Sequence, residues 1–387
     1  MNKRRKQKRN ANLFKAGTAV FLLVLIFIGA FTARYLNRRS KRTASVTSVI
    51  SDKAAETTGE VPAYAETTTE QSEETAVPFV VFPEKTDKSQ KFKKEYDAVN
   101  AILINVDDNE VVAYRDEHIQ LYPASLTKIM TLIVAAENID DLSATVKITY
   151  EMVAPYITLD ASRAGFEPDE TPTLKDVLYG MILCSGADAS LAAAEYVAGS
   201  EEEFVKLMNA KCEEIGLKHT HFTNVTGLHD KNNYSTAEDI AVLLEYAVQN
   251  KICREILSAV EYKVPPTEQN PEGLTFNSTL FSRMYGNEMP GVKILGGKTG
   301  FTDESGNCMA TFAEVNGKTY ILVLCGGTTN WNNVYNTLSA YSEYCAGGKA
   351  YVPPDERRRQ DRQPGRQGSQ RRQTQHRRRY ELRLQGQ

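Results

Sequence analysis

At 387 residues, with 41% hydrophobic and 25% charged side chains, the chain has room for one large domain or two ordinary ones, and its composition excludes disorder throughout. A net charge near zero hides three regions: residues 1–42 carry 12 Lys and Arg and no acid, residues 357–387 carry 11 Arg against Asp361 and Glu381, and the stretch between holds 23 basic against 47 acidic residues. So acidic a body repels polyanions and argues against nucleic-acid binding by the folded part.

The first region, 1–42, reads as a membrane address. The basic stretch "MNKRRKQKRN" precedes 18 residues without a charge, Ala16 to Ala33, about the minimum for a spanning helix. A cleaved secretory signal is the competing reading, but no small-x-small site is evident: Phe31 precedes Ala33 and Ile28 precedes Ala30 at the positions that would have to be small. The N-terminal basic cluster favours an uncleaved anchor with the body outside the cytoplasm, or a secreted body if the signal is cut. Residues 43–94, rich in Thr, Glu and Ala, are expected to be a disordered linker.

The body is expected over 95–346. "AILINV" (101–106) and "EVVAY" (110–114) read as a hairpin, and the apolar run from Ser125 to Ala136 as a buried helix. Helices are expected over 171–183, 187–199 and 201–216, the last closed by Gly216, and over 235–250, opened by Ser235 and Glu238 in capping-box spacing. Strands return with "GVKILGGKTG" (291–300), "CMATFAEV" (308–315) and "KTYILVLCGG" (318–327), the last two joined by Asn316-Gly317, and a helix at 331–345 closes the body. The fold class is α/β in the α+β sense: an antiparallel sheet flanked by helices, with a helical subdomain inserted between its halves. Cys184, Cys212, Cys253, Cys308, Cys325 and Cys345 form no CxxC pair, so they read as small apolar residues and not as a zinc site. The Arg/Gln tail, 347–387, has almost nothing to bury. It reads as solvated or as the product of a shifted frame before it reads as a binder of acidic polymers or lipid.

Chemistry enters with "PASLTKIMT" (123–131). Ser125 and Lys128 share one face of a helix, with the serine among the free N–H groups of the first turn. A lysine made neutral by burial, or by a second cation, is base enough to take the hydroxyl proton. Alone the pair says little. "ILCSGADAS" adds Ser185 between two helices, and "LGGKTGFTDESGN" adds Lys298, Thr299, Gly300 and Phe301 on a glycine-rich strand, where a lysine and a hydroxyl suit a substrate carboxylate.

The order S-x-x-K, S-G-x, K-T-G resembles the penicillin-recognising serine enzymes. "YPASLTKIMT", "FTNVTGLHDKNNYSTAEDIA" and "GGKTGFTDESGNCM" resemble in particular the low-molecular-mass penicillin-binding proteins that act as D-alanyl-D-alanine carboxypeptidases. The resemblance covers about 95–345 and implies a β-lactamase/transpeptidase-like fold. It implies that Ser125 attacks the carbonyl between two D-alanines of a peptidoglycan stem peptide, that Lys128 takes its proton, and that Ser185 relays a proton to the leaving amine. Lys298 and Thr299, with Gly300 beside them, would bind the terminal carboxylate, and the N–H groups of Ser125 and Phe301 would form the oxyanion hole. No metal or cofactor is implied. Stem peptides and β-lactams are the implied ligands, and the N-terminal segment implies a membrane.

One departure stands out. Where the family has asparagine, this chain has Ala187, which removes amide contacts to the substrate. That keeps open a non-catalytic relative that binds wall peptides or β-lactams. A β-lactamase is less apt, because the E-x-x-L-N signature is absent. His229-Asp230 reads as loop structure rather than part of a triad, and His219 and His221 as a solvated turn. The β-rich domain that often follows in such proteins is expected to be missing.

Overall fold

The computed structural model describes residues 80–353. The basic N-terminus with its apolar run, most of the linker and most of the tail lie outside the described residues.

Strands β1 (Glu84–Lys91), β2 (Asn100–Asn105) and β3 (Glu110–Arg115) open the body. Ala124–Leu126 forms a single 3-10 turn that leads into α1 (Thr127–Asn138). Helices α2 (Tyr150–Thr158), α3 (Leu174–Leu183), α4 (Ala187–Ala198), α5 (Glu201–Ile215), α6 (Ala237–Gln249) and α7 (Lys251–Leu257) follow. A small hairpin, β4 (Glu261–Val264) and β5 (Leu274–Asn277), and the one-turn α8 (Phe281–Met284) precede β6 (Val292–Thr302), β7 (Gly306–Val315) and β8 (Lys318–Gly327). Helix α9 (Asn330–Ala340) runs into a wider turn at Tyr341–Cys345.

The main sheet has the order β1-β3-β2-β8-β7-β6 and is antiparallel except for the parallel edge pair β1–β3. Strand β2 shows why it is central: all six of its residues are buried. Alternate residues face opposite sides. Ile102 and Ile104 join the large core under the helices, while Ala101 and Leu103 join a second core with Leu322, Leu324 and Tyr341. The expected antiparallel sheet with helices on its faces and a helical insertion is therefore what the chain forms.

Helix α1 is buried over ten of its twelve residues and threads the insertion. A helix apolar nearly all round needs neighbours on every side. They are supplied by helices whose starts are written in the sequence. Thr173 and Asp176 form a reciprocal capping box at α3, and Ser200 caps α5 above Glu201, Glu202 and Glu203. Gly216 ends α5 at φ 88°, and Asn316-Gly317 turns the β7–β8 hairpin with both residues at positive φ.

Two expectations need correction. The stretch 84–91, assigned above to the linker, is the edge strand β1. Its exposed, polar pattern resembles disorder because it buries little, and it is held by contacts from outside itself: Ser89 Oγ donates to the Val111 carbonyl, and Lys85 pairs with Glu117 while its amine sits 3.8 Å from the Tyr114 ring centre. At α6 the cap is Thr236, which accepts from Asp239 N at 3.1 Å, and not Ser235. The Ser235 backbone is already paired with Leu121, so its hydroxyl turns to Thr220 at 2.7 Å.

Candidate active site

The turn bearing Ser125 is pinned between two backbones. Gly300 of β6 faces it so closely that a Cβ there would lie 3.1 Å from Ser125 N and 3.3 Å from Leu126 N. On another side the loop 222–228 presses in: a Cβ on Gly227 would stand 1.8 Å from the Ala124 carbonyl oxygen. Asn224 shapes this loop by accepting from Gly227 N at 2.7 Å and Thr226 N at 3.1 Å, and Thr131 of α1 holds its Val225 carbonyl at 2.8 Å.

Lys128 is 2% exposed, and its Nζ lies 3.2 Å from Ser125 Oγ. It donates to the Thr226 carbonyl at 2.6 Å, which leaves the nitrogen lone pair for the serine when the amine is neutral. Burial lowers this amine from its ordinary value to about 7, against the opposing pull of the Asp188 carboxylate. Ser125 itself remains partly exposed, as a nucleophile must.

Ser185 sits between α3 and α4 at φ 58° and receives a hydrogen bond from Lys298 Nζ at 3.0 Å. Lys298 also donates to the Thr299 carbonyl at 2.7 Å. It is 1% exposed; burial, then repulsion from Lys128 and Arg283, hold its amine well below the ordinary lysine value. An arriving carboxylate would raise it again. The Thr299 hydroxyl lies 2.8 Å from that of Thr279. Phe301 is 58% exposed at the end of the strand, open to whatever lies along β6.

The structure thus brings Ser125 to Lys128, Ser185 to Lys298, and Gly300 to Ser125. Sequence reasoning missed the Thr226 carbonyl, a backbone atom with no signature of its own, and Thr279, which lies in no motif. Asp188 is no stand-in for the absent asparagine. Its carboxylate is fully buried and accepts from Ala164 N at 2.7 Å and Gly165 N at 3.0 Å, so it clamps the loop 162–165 over the second motif. Ala187 lies beneath that loop, 2% exposed, its N–H bonded to the Ser162 carbonyl at 2.8 Å. His229 meets Tyr122 edge-on at 4.7 Å, and its Nδ1 lies 3.8 Å from the Glu304 carboxylate.

Comparison with known proteins agrees with this geometry. Residues 85–329 match the peptidase S11 family, described as D-alanyl-D-alanine carboxypeptidase. The chain is 33% identical over 245 residues to D-alanyl-D-alanine carboxypeptidase DacF of Bacillus subtilis, covering 63% of this chain and 61% of the relative. It is 30% identical over 245 residues to DacA of Escherichia coli, covering 61% and 57%. The matched stretch is therefore less than two thirds of either relative's length. Among solved structures, a serine-to-alanine mutant of the Streptomyces K15 DD-transpeptidase superposes with a TM-score of 0.59 at 25% identity, covering 64% of this chain and 98% of that one.

Proposed function

Because the chain belongs to the D-alanyl-D-alanine carboxypeptidase family, we propose that it removes the terminal D-alanine from peptidoglycan stem peptides through an acyl-enzyme on Ser125. The observation that carries this reading is the pair of buried amines, Lys128 and Lys298, each bonded to a different serine. Few structural roles would justify burying two lysines without a carboxylate to pair them.

In the proposed reaction, neutral Lys128 takes the Ser125 proton as Oγ attacks the carbonyl carbon between the two D-alanines. The developing oxyanion is met by the N–H groups of Ser125 and Phe301, an interaction of the kind that often contributes most to acyl transfer. Ser185 gives its proton to the departing amine and regains one from protonated Lys128 as the C–N bond breaks and D-alanine leaves, so the proton taken from Ser125 ends on the amine. Water then hydrolyses the ester and restores Ser125. Lys298 and Thr299 hold the terminal carboxylate, which places the scissile carbonyl level with Gly300. A β-lactam imitates the dipeptide and leaves a slowly hydrolysed ester on the same oxygen. No step calls for a metal or cofactor.

A second reading, a non-catalytic binder of wall peptides or β-lactams, is favoured only by Ala187, which offers no amide to a substrate. Release of free D-alanine from a peptide ending in D-Ala-D-Ala separates the two: steady turnover supports the carboxypeptidase, and binding without release the alternative. The uncharged run 16–33 behind a basic N-terminus supports an anchor, or a cleaved signal, with the body outside the cytoplasm. Protease added to wall-stripped cells should then digest the body, and protection would contradict that topology.

A further inference from the structure

We propose that Cys308 of β7 and Cys325 of β8 are a redox pair that forms a cross-strand disulfide by exchange with a small disulfide oxidant, and that the bridge stabilises the body. The reaction described above gives neither residue a role, and the pairing stands independently of the carboxypeptidase reading.

Sheet register puts the two sulfurs together. Strands β7 and β8 pair Phe312 with Ile321 and Ala310 with Val323. Alternate residues of a strand share a face, and all four of these side chains enter the large core under the helices. One more step of two residues along each strand sets Cys308 opposite Cys325. Both belong to that same core, and each is 2% exposed. The pairing slips by one residue between Asn307 and Met309, so the cysteines meet at a bulge. Opposed residues of an antiparallel pair have Cα atoms about 4.5–5.5 Å apart, inside the range of about 4.4–6.8 Å that a disulfide spans. The thiols are already in contact: the hydrogen bond between them lowers the Cys308 thiol from its ordinary value and raises that of Cys325. Cys184, Cys212, Cys253 and Cys345 lie on helices or at their ends, so no other two cysteines share a strand register.

The asymmetry assigns the roles. Cys308 holds its thiolate more readily, and the thiolate is the attacking species. Its sulfur attacks one sulfur of the oxidant, the oxidant's S–S bond breaks, and one thiol leaves. Cys325 then attacks the Cys308 sulfur of the mixed disulfide, and the second thiol leaves with the Cys325 proton. Two protein thiols are oxidised and one disulfide is reduced to two thiols. Burial keeps the oxidant out of the closed fold, so exchange takes place during folding or when the bulge opens locally. The bridge closes the chain between 308 and 325 and so restricts the unfolded state. It also ties β8 to the strand that backs the site: Cys308 pairs with Gly300, and Asn307 with Phe301.

The test holds the full chain with oxidised glutathione in urea below the unfolding transition, beside a sample kept with dithiothreitol. Each is then unfolded, alkylated with iodoacetamide and mapped by mass spectrometry without reduction. The reduced sample should carry six alkylated cysteines and the oxidised sample four, with the peptide containing Cys308 joined to the peptide containing Cys325. The oxidised form should melt about 5 °C above the reduced form, a difference that Cys308→Ala and Cys325→Ala should both abolish. Six alkylated cysteines in the oxidised sample overturn the pairing. So does a bridge to any other cysteine, or glutathione left on Cys308 with Cys325 free. A bridge that leaves melting unchanged or lower overturns the stabilising role. Mapping of the native chain decides the pairing even where an alanine variant folds poorly.

Discussion

Replacing Lys128 with methionine should slow acylation of the protein by penicillin by about a thousandfold, within the range a positioned general base contributes. Methionine is close to lysine in length and suits a buried site, so the fold should persist and the loss should be chemical. The pH profile makes the assignment sharper. The amine titrates at about 7 because burial disfavours its charged form. Only the neutral form can take a proton from Ser125, so in the native protein the acylation rate should climb as pH rises through about 7 and level off above it. The methionine variant should lack that rise. Acylation within tenfold of native, or a native profile flat from acid to neutral pH, would show that another group is the base.

Gly227→Ala should be nearly as damaging, although residue 227 bears no chemistry. The added Cβ would lie 1.8 Å from the Ala124 oxygen and 2.3 Å from its carbonyl carbon, both backbone, and φ is +77°. No side chain can swing aside to relieve such a clash. Either the loop withdraws, taking the Thr226 carbonyl from Lys128, or the Ser125 turn shifts against Gly300. Strain plus overpacking should lower the unfolding free energy by about 2–5 kcal/mol. A displacement of the nucleophile by about an ångström is enough to reduce its reactivity roughly a hundredfold. Denaturant unfolding and penicillin acylation measure the two effects, and native values for both would mean that the loop and the turn are not in contact.

The features legible in the sequence were those with a side-chain or turn signature. The paired β2 and β3, the Gly216 stop and the Asn316-Gly317 turn each rest on local preferences that the fold does not override. The three motif segments were legible through their resemblance to the penicillin-recognising serine enzymes, since only Ser125 and Lys128 are close enough in sequence for helical spacing to join them. What escaped notice depends on distant partners. Strand β1 is polar and gains its order from β3; β4 and β5 are four residues each. Thr226 contributes only a carbonyl, and Cys308 and Cys325 meet only through the register of β7 and β8. Asp188 belongs to no motif, and its clamp on Ala164 and Gly165 follows only from the packed loop. The apolar run 16–33 and most of the Arg/Gln tail are outside the described residues, so both readings rest on composition.

The central claim is that Ser125 is the residue that becomes acylated. Mass spectrometry of the intact protein after incubation with penicillin, followed by peptide mapping, tests it directly. The account predicts a gain of one penicillin mass, located on the peptide containing Ser125 and absent from Ser125→Ala, with Ser185 unmodified. No adduct under conditions that saturate a penicillin-binding control, or an adduct that maps to Ser185 or survives in Ser125→Ala, would contradict it.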